Sequence, residues 1–363
     1  MANTALEEVV NNKLCRWAKI GGAPEYFALP GREPTRPTVQ HKLNRFGGGM
    51  GPYVDTRLKL QSVEYINATA IDNLGPETPP FVATMCPMQS TMSHFWSMMW
   101  EVGSTTIINL TNADDSVGSR PEDKRERYWP PFDYPAIRQA ASKWPVTPRL
   151  VGTETCQQIP ALYRYSIELL GPATSGGEDR PRRLVQLYWY TEWVDFPESS
   201  SIGTQLFYRN AWHVLLLAVF IANELRDKAA RAPSESWGVV HCSAGVGRTG
   251  TFISLVHMLR KLHTISSEAA LDSATVACDL HTATNDVLSM MHFKLELIES
   301  CYARAVIAFQ ASVIKAMRTR RQFMVKADTE YATLYAALLL RLVWPFPCML
   351  PSDPEVFSHF LAV

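Results

Sequence analysis

Residues 237–250 read WGVVHCSAGVGRTG, a cysteine and an arginine joined by a glycine-bearing run. A short apolar strand (Val239, Val240) leads into this run, and a helix with apolar Phe252, Ile253, Val256 and Leu259 leaves it. A loop of this kind can turn the backbone N–H groups of Ser243, Ala244, Gly245, Val246 and Gly247 to one side as an anion cradle. Gly245 and Gly247 allow the backbone angles or close approach such a loop needs. The dipole of the following helix adds roughly 0.3–2 kcal/mol for an anion at the same place. Cys242 sits at the mouth of the cradle, where amides, a helix N-terminus and a cation can lower a thiol pKa to about 3.5–7.5. Arg248 offers a planar fork that grips two oxygens of a phosphate and stays charged. The Thr249 hydroxyl can hydrogen-bond the sulfur and make it a better leaving group. A nucleophile, an oxyanion cradle and a fixed cation are the equipment for phosphoryl transfer through a cysteinyl-phosphate. A bare Cys-x5-Arg would read instead as a buried strand-end cysteine and an ordinary helix-start arginine. The ordered set His241, Cys242, Ala244, Gly245, Gly247, Arg248, Thr249 and Gly250 favours the chemistry.

The elements that position this loop are legible as two periodicities. β-Branched and aromatic runs predict strands over 65–71, 81–85, 105–110, 163–170 and 184–190. Apolar residues at helical spacing predict helices over 92–101, 205–226 and 250–262. Strands and helices interleave without a repeat, which implies an α/β or α+β fold around a mixed sheet. Prolines at 24, 30, 34 and 37 mark residues 1–35 as an irregular lead-in. No Gly/Ser-rich linker divides the rest, so 36–345 reads as one domain, with 271–309 a possible helical insertion and 346–363 a tail.

Composition sets the outer bounds. The chain has 363 residues, 47% hydrophobic and 19% charged, which suits a globular protein with a sizeable core. Thirty-five Lys+Arg balance 35 Asp+Glu, which argues against sequence-independent nucleic-acid binding. The short basic run Arg318, Arg320, Arg321 reads as a solvated helix end. Apolar stretches at 212–222 and 336–340 fall short of the roughly 20 residues a membrane span needs, and the first residues lack the order of a secretory signal. Seven cysteines without a CxxC pair read as a reduced chain with neither disulfide framework nor zinc site, so a cytoplasmic location is expected. The histidines show no HxH or HExxH spacing, His241 is assigned to loop structure, and the sequons at Asn67 and Asn109 read as chance.

The segment around Cys242 resembles the signature loop of the cysteine-dependent protein tyrosine phosphatases, and flanking pieces resemble the tyrosine-specific branch in its usual order. These pieces are Asn44-Arg45-Phe46, Arg57-Leu-Lys-Leu60, Tyr65-Ile-Asn-Ala68, Phe81-Val-Ala-Thr-Met-Cys-Pro87, His94-Phe-Trp96, Met99-Trp-Glu101, Tyr128-Trp-Pro130, Tyr190-Thr-Glu-Trp-Val-Asp-Phe-Pro-Glu-Ser199, and Met317-Arg318 with Arg321 and Met324-Val325. The match covers roughly residues 40–340. It implies a twisted mixed sheet flanked by helices, phosphotyrosine proteins as partners and substrates, and no metal or other cofactor. It implies Cys242 as nucleophile, Arg248 and the amides of residues 243–248 as the phosphate clamp, and Thr249 beside the sulfur. Asp195 matches the acid that protonates the leaving tyrosine oxygen, and Phe46, Trp193 and Glu330 match substrate-side positions.

Several positions depart from the family. Val194 replaces the usual proline, and its loop is about two residues shorter. Phe46 stands for a tyrosine that stacks on the substrate ring. Gly47-Gly-Gly49 replaces residues that include a peptide-anchoring Asp, which implies a weaker or more flexible rim. Lys326-Ala-Asp-Thr-Glu330 carries no glutamine at either end, where the family's second glutamine positions the hydrolytic water, so a slow second half-reaction is expected. The family's glutamate that pairs with the signature arginine has no clear match; Glu122 is nearby but unaligned. Two readings follow: an active phosphatase, favoured by Cys242, Arg248 and Asp195, and a non-catalytic phosphotyrosine-binding module, favoured by Gly48, Val194, Lys326 and Glu330. A dual-specificity or phosphoinositide phosphatase is disfavoured, because no extra basic residues line 243–247.

Overall fold

A strand that delivers a nucleophile from inside a sheet must be apolar on both faces, and Gly238–Cys242 is buried at every position. The computed structural model describes residues 12, 41–46, 50–75, 78–112, 127–156, 159, 161–173, 180–193, 205–232, 236–268 and 303–343. Among the described residues seven strands form one sheet: β1 (Ala68–Ile71), β2 (Phe81–Met85), β3 (Thr106–Asn109), β4 (Thr147–Thr155), β5 (Leu162–Leu170), β6 (Arg182–Tyr190) and β7 (Gly238–Cys242). Their order is β1-β2-β7-β3-β6-β5-β4. The strand β7 lies parallel to both neighbours, with Met85 opposite Cys242 and Asn109 opposite His241. The mixed, twisted-sheet class expected from the sequence is what the chain adopts.

Six α-helices flank the sheet among the described residues: α1 (Met92–Val102), α2 (Pro135–Ala141), α3 (Gln205–Arg231), α4 (Gly247–Glu268), α5 (Ala303–Arg320) and α6 (Asp328–Val343). One face packs on α1 through Phe95, Trp96 and Met99, and the other on α3 to α6 through Leu217, Phe252, Met317 and Leu334. Alternation along β7 sends Val239 to the first face and Val240 and Cys242 to the second. None of the described helices is long and apolar enough to cross a membrane.

Several elements differ from expectation, helices α2 and α6 among them, since neither was predicted. Strand β4 was not foreseen, because Thr147-Pro-Arg-Leu-Val-Gly-Thr-Glu-Thr155 has little apolar alternation; it is an edge strand held by pairing with β5 and largely open to water. Helix α4 begins at Gly247, three residues before the predicted start, which places Arg248 and Thr249 in its first turn. Of the proposed insertion at 271–309, residues 303–309 open α5, and 271–302 lie outside the described residues. So do the tail and, apart from residue 12, the lead-in.

Candidate active site

The parallel strand β7 ends at Cys242, which is 4% exposed, and the chain crosses residues 243–246 to the N-terminus of α4. Each carbonyl of this crossing is held from outside. Cys86 N–H donates to Ser243 O at 3.0 Å, Arg321 Nη2 to Ala244 O at 3.1 Å and Arg321 Nε to Gly245 O at 2.8 Å. Val246 O accepts from Val325 N–H at 3.2 Å and from Gly250 N–H at 3.0 Å. A trans peptide points its N–H opposite its C=O. The N–H groups of Ala244, Gly245, Val246 and Gly247 therefore turn the other way, as a ring of donors. Gly245 makes the turn possible: its φ is 70°, and a Cβ there would collide with the Thr84 carbonyl.

Arg248 is 2% exposed, and its Nη1 donates to the carbonyl of Trp193 at 2.9 Å. Trp193 thus enters the site through its backbone, which orients the guanidinium, while its ring lies in the core at 2% exposure. Thr249 is fully buried in the first turn of α4, and its Oγ1 makes no hydrogen bond among the described residues. His241 points to the opposite face from Cys242. Its Nε2 lies 2.7 Å from Tyr128 Oη and its Nδ1 3.2 Å from Cys242 O. These contacts fit an Nδ1–H tautomer that accepts from Tyr128 and donates to the carbonyl, a structural task rather than proton transfer.

The largest correction concerns the basic run at 318–321. Arg318 and Arg321 are 2% and 0% exposed, not a solvated helix end. Arg321 donates to Ala244 O and Gly245 O on one side and to Asn67 Oδ1, at 2.7 Å, on the other. Burial pushes its pKa down to about 10, opposed by Tyr65 and by Cys242, so it remains a cation behind the loop at neutral pH. Arg318 Nε and Nη2 donate to Met324 O and Val325 O at 2.9 and 2.6 Å. These bonds secure a segment in which Phe323 and Val325 adopt φ of 61° and 55°, a costly left-handed backbone for such residues. The same segment presses on Gly250, where a Cβ would come 2.6 Å from Val325 N. Only Arg320 fits the original reading, at the surface beside Asp72. The collinear spacing of Met317, Arg318, Arg321 and Met324 was the signal; net charge alone could not tell a buried arginine from a solvated one.

Glu330 is 8% exposed and stands at the third position of α6. Its Oε2 accepts the N–H of Lys326 at 2.5 Å and of Ala327 at 2.9 Å, the glutamate's half of a helix-start capping box. Its Oε1 lies against Gly247, where a Cβ would collide with it. The carboxylate therefore lies beside Gly247, at the end of the loop that follows Cys242. Lys326 is exposed and contributes its backbone N–H to this contact.

On the rim, Phe46 is 43% exposed, and next to it Asn44 accepts from Tyr65 Oη at 2.9 Å and from Asn67 Nδ2 at 2.8 Å. Asn67 links this rim to Arg321, a connection the sequence did not reveal. Asp195, Val194, the glycines at 47–49 and Glu122 lie outside the described residues. Among the described residues no group of three or more His, Cys, Asp or Glu is placed to hold a metal ion, and Cys86, Cys156 and Cys242 are not joined in disulfides.

Residues 41–293 match the model of the family described as protein-tyrosine phosphatase. The chain is 30% identical over 276 residues to the human receptor-type tyrosine-protein phosphatase alpha, covering 71% of this chain and 30% of that protein. It is 34% identical over 206 residues to the human receptor-type tyrosine-protein phosphatase epsilon, covering 55% and 24% respectively. Against tyrosine-protein phosphatase 69D of Drosophila melanogaster the identity is 29% over 277 residues, 72% of this chain and 17% of that one. The matched portion thus spans less than a third of the length of these relatives.

Proposed function

The chain belongs to the protein-tyrosine phosphatase family, and from that premise we propose that it hydrolyses phosphotyrosine on proteins through a cysteinyl-phosphate. The observation that supports this reading is the outward fastening of the carbonyls of residues 243–246, which turns the N–H groups of residues 244–247 the other way in the loop that joins Cys242 to Arg248. Preorganised donors of this kind stabilise charge as it develops and need no rearrangement at the moment of reaction.

In the first step the Cys242 thiolate attacks phosphorus, the S–P bond forms and the bond to the tyrosine oxygen breaks. Asp195 gives that oxygen its proton, so a phenol leaves rather than a phenolate. The amides and the Arg248 fork hold the equatorial oxygens throughout. In the second step water attacks phosphorus and the S–P bond breaks. Asp195 takes the water's proton, and the Thr249 hydroxyl donates to the departing sulfur. The products are inorganic phosphate and the starting thiolate. A chemistry that needs Cys242 as a free thiol suits a reducing compartment, and we place it in the cytoplasm.

Glu330 stands where the family has its water-positioning glutamine, and its Oε2 is already engaged by two backbone amides. We therefore expect the second step to limit turnover. Hydrolysis of a small aryl phosphate should vanish in Cys242→Ser and fall about 10²–10⁴-fold in Asp195→Ala. Rapid mixing should show a burst of aryl alcohol, stoichiometric with enzyme, before slow turnover. Binding of a phosphotyrosine peptide with no phosphate released would sink the hydrolase reading, and fast turnover without a burst would remove the slow second step.

A further inference from the structure

A carboxylate packed against an anion cradle is unusual on electrostatic grounds. Glu330 Oε1 abuts Gly247, whose N–H is one of the cradle's donors, and Oε2 is fixed by the amides of Lys326 and Ala327. The side chain therefore cannot swing away without giving up two partly buried hydrogen bonds. The charged groups that bear on it are Arg318, which it attracts, and its chain neighbours Lys326 and Asp328; Arg248 and Arg321 belong to the same loop's other contacts. Arg318 attracts Glu330 electrostatically while its Nε and Nη2 also donate to Met324 O, Val325 O and Tyr331 Oη, and the net charge at the loop still changes by one unit when the carboxylate is neutralised. Arg248 and Arg321 are bonded to Trp193 O and to the loop carbonyls. Lys326 is exposed, and Asp328 adds a second acid at the start of α6.

We propose that Glu330 sets the charge selectivity of the cradle: it weakens the hold on tetrahedral dianions relative to monoanions, so that phosphate is released readily rather than retained as a product inhibitor. This deepens, and rests on, the reading of residues 242–248 as the anion site. The magnitude follows from Coulomb's law. Even at the dielectric constant of water, like unit charges about 6 Å apart shift an equilibrium about threefold, and a dianion feels the effect twice, about tenfold.

The test is calorimetric titration of the whole chain with tungstate, a dianion, and perchlorate, a monoanion. Glu330→Gln keeps the shape and an acceptor for the two amides, and should tighten tungstate about tenfold and perchlorate about threefold. Glu330→Ala removes the same charge and serves if the glutamine variant fails to fold, and Glu330→Asp, which keeps the charge, should stay near wild type. If wild type binds tungstate and the two neutral variants bind it equally or more weakly, the proposal fails and the anion site stands. Equal tightening for both ions also overturns it, since a change of shape rather than charge would then be responsible. If wild type binds neither ion, the reading of the site falls, and the proposal with it.

Discussion

The loop that carries Cys242 is held on two flanks by side chains of opposite sign. On the β1–β2 side a fully buried arginine, Arg321, takes the carbonyls of Ala244 and Gly245. On the α6 side a nearly buried glutamate, Glu330, lies on Gly247 and takes the amides of Lys326 and Ala327. Both fix backbone, because a peptide offers donors to an acid and acceptors to a base. Their effect on a bound anion is opposite. The cation turns the donors inward and adds attraction, whereas the carboxylate brings repulsion to the same ring. Shape can be built with either sign, and affinity cannot.

Removing the cationic flank should have the largest effect. Arg321→Met leaves Ala244 O, Gly245 O and Asn67 Oδ1 without their buried donor, and the expected loss is about 4 kcal/mol of stability. Urea unfolding measures it, and tungstate binding should fall below detection in whatever folded protein remains. Arg321→Lys keeps the charge but not the fork that spans Asn67 and two loop carbonyls, so it should recover only part of each loss. Full recovery in the lysine variant would mean that charge alone, and not the outward fastening of the carbonyls, makes the cradle.

How far the sequence exposed these two flanks follows from what each depends on. The nucleophile loop depends on local chain geometry, strand to glycine-bearing turn to helix, and it could be read residue by residue from Cys242 to Thr249. Strands with β-branched periodicity, such as Phe81–Met85, were legible for the same reason. Arg321 and Asn67 could not be, because their roles come from a contact across more than 250 residues, and a basic run looks the same whether water or carbonyls surround it. Glu330 is intermediate. Its place at the cradle came from resemblance, but its tie to the Lys326 amide rather than to a lysine ammonium is a fact of three-dimensional packing. Strand β4 escaped because an exposed edge carries little hydrophobic alternation and is defined by its partner.

The two glycines nearest these flanks sharpen the contrast. Gly245 faces backbone: a methyl group there meets the Thr84 carbonyl while φ is 70°. Gly245→Ala should cost about 3 kcal/mol, from left-handed strain together with overpacking against an element that cannot move. Thermal unfolding measures the loss, and no substitution around Glu330 should relieve it. An Ala variant as stable as wild type would show that the loop has another backbone path past β2.

Gly247 faces a side chain instead, and the smallest effect is expected there. A methyl group at 247 meets the Glu330 carboxylate, whose removal opens the space. Gly247→Ala alone should cost about 1–2 kcal/mol, because the glutamate must give up its amides to make room. In the Glu330→Ala background the same substitution should be close to neutral, since alanine is the better helix former at the start of α4. A double-mutant cycle by urea unfolding therefore expects a coupling of about 1 kcal/mol or more. If the two losses simply add, Glu330 is not fixed against the loop, and the repulsion assigned to it would have to act from farther away, where a tenfold change in tungstate affinity could not be sustained.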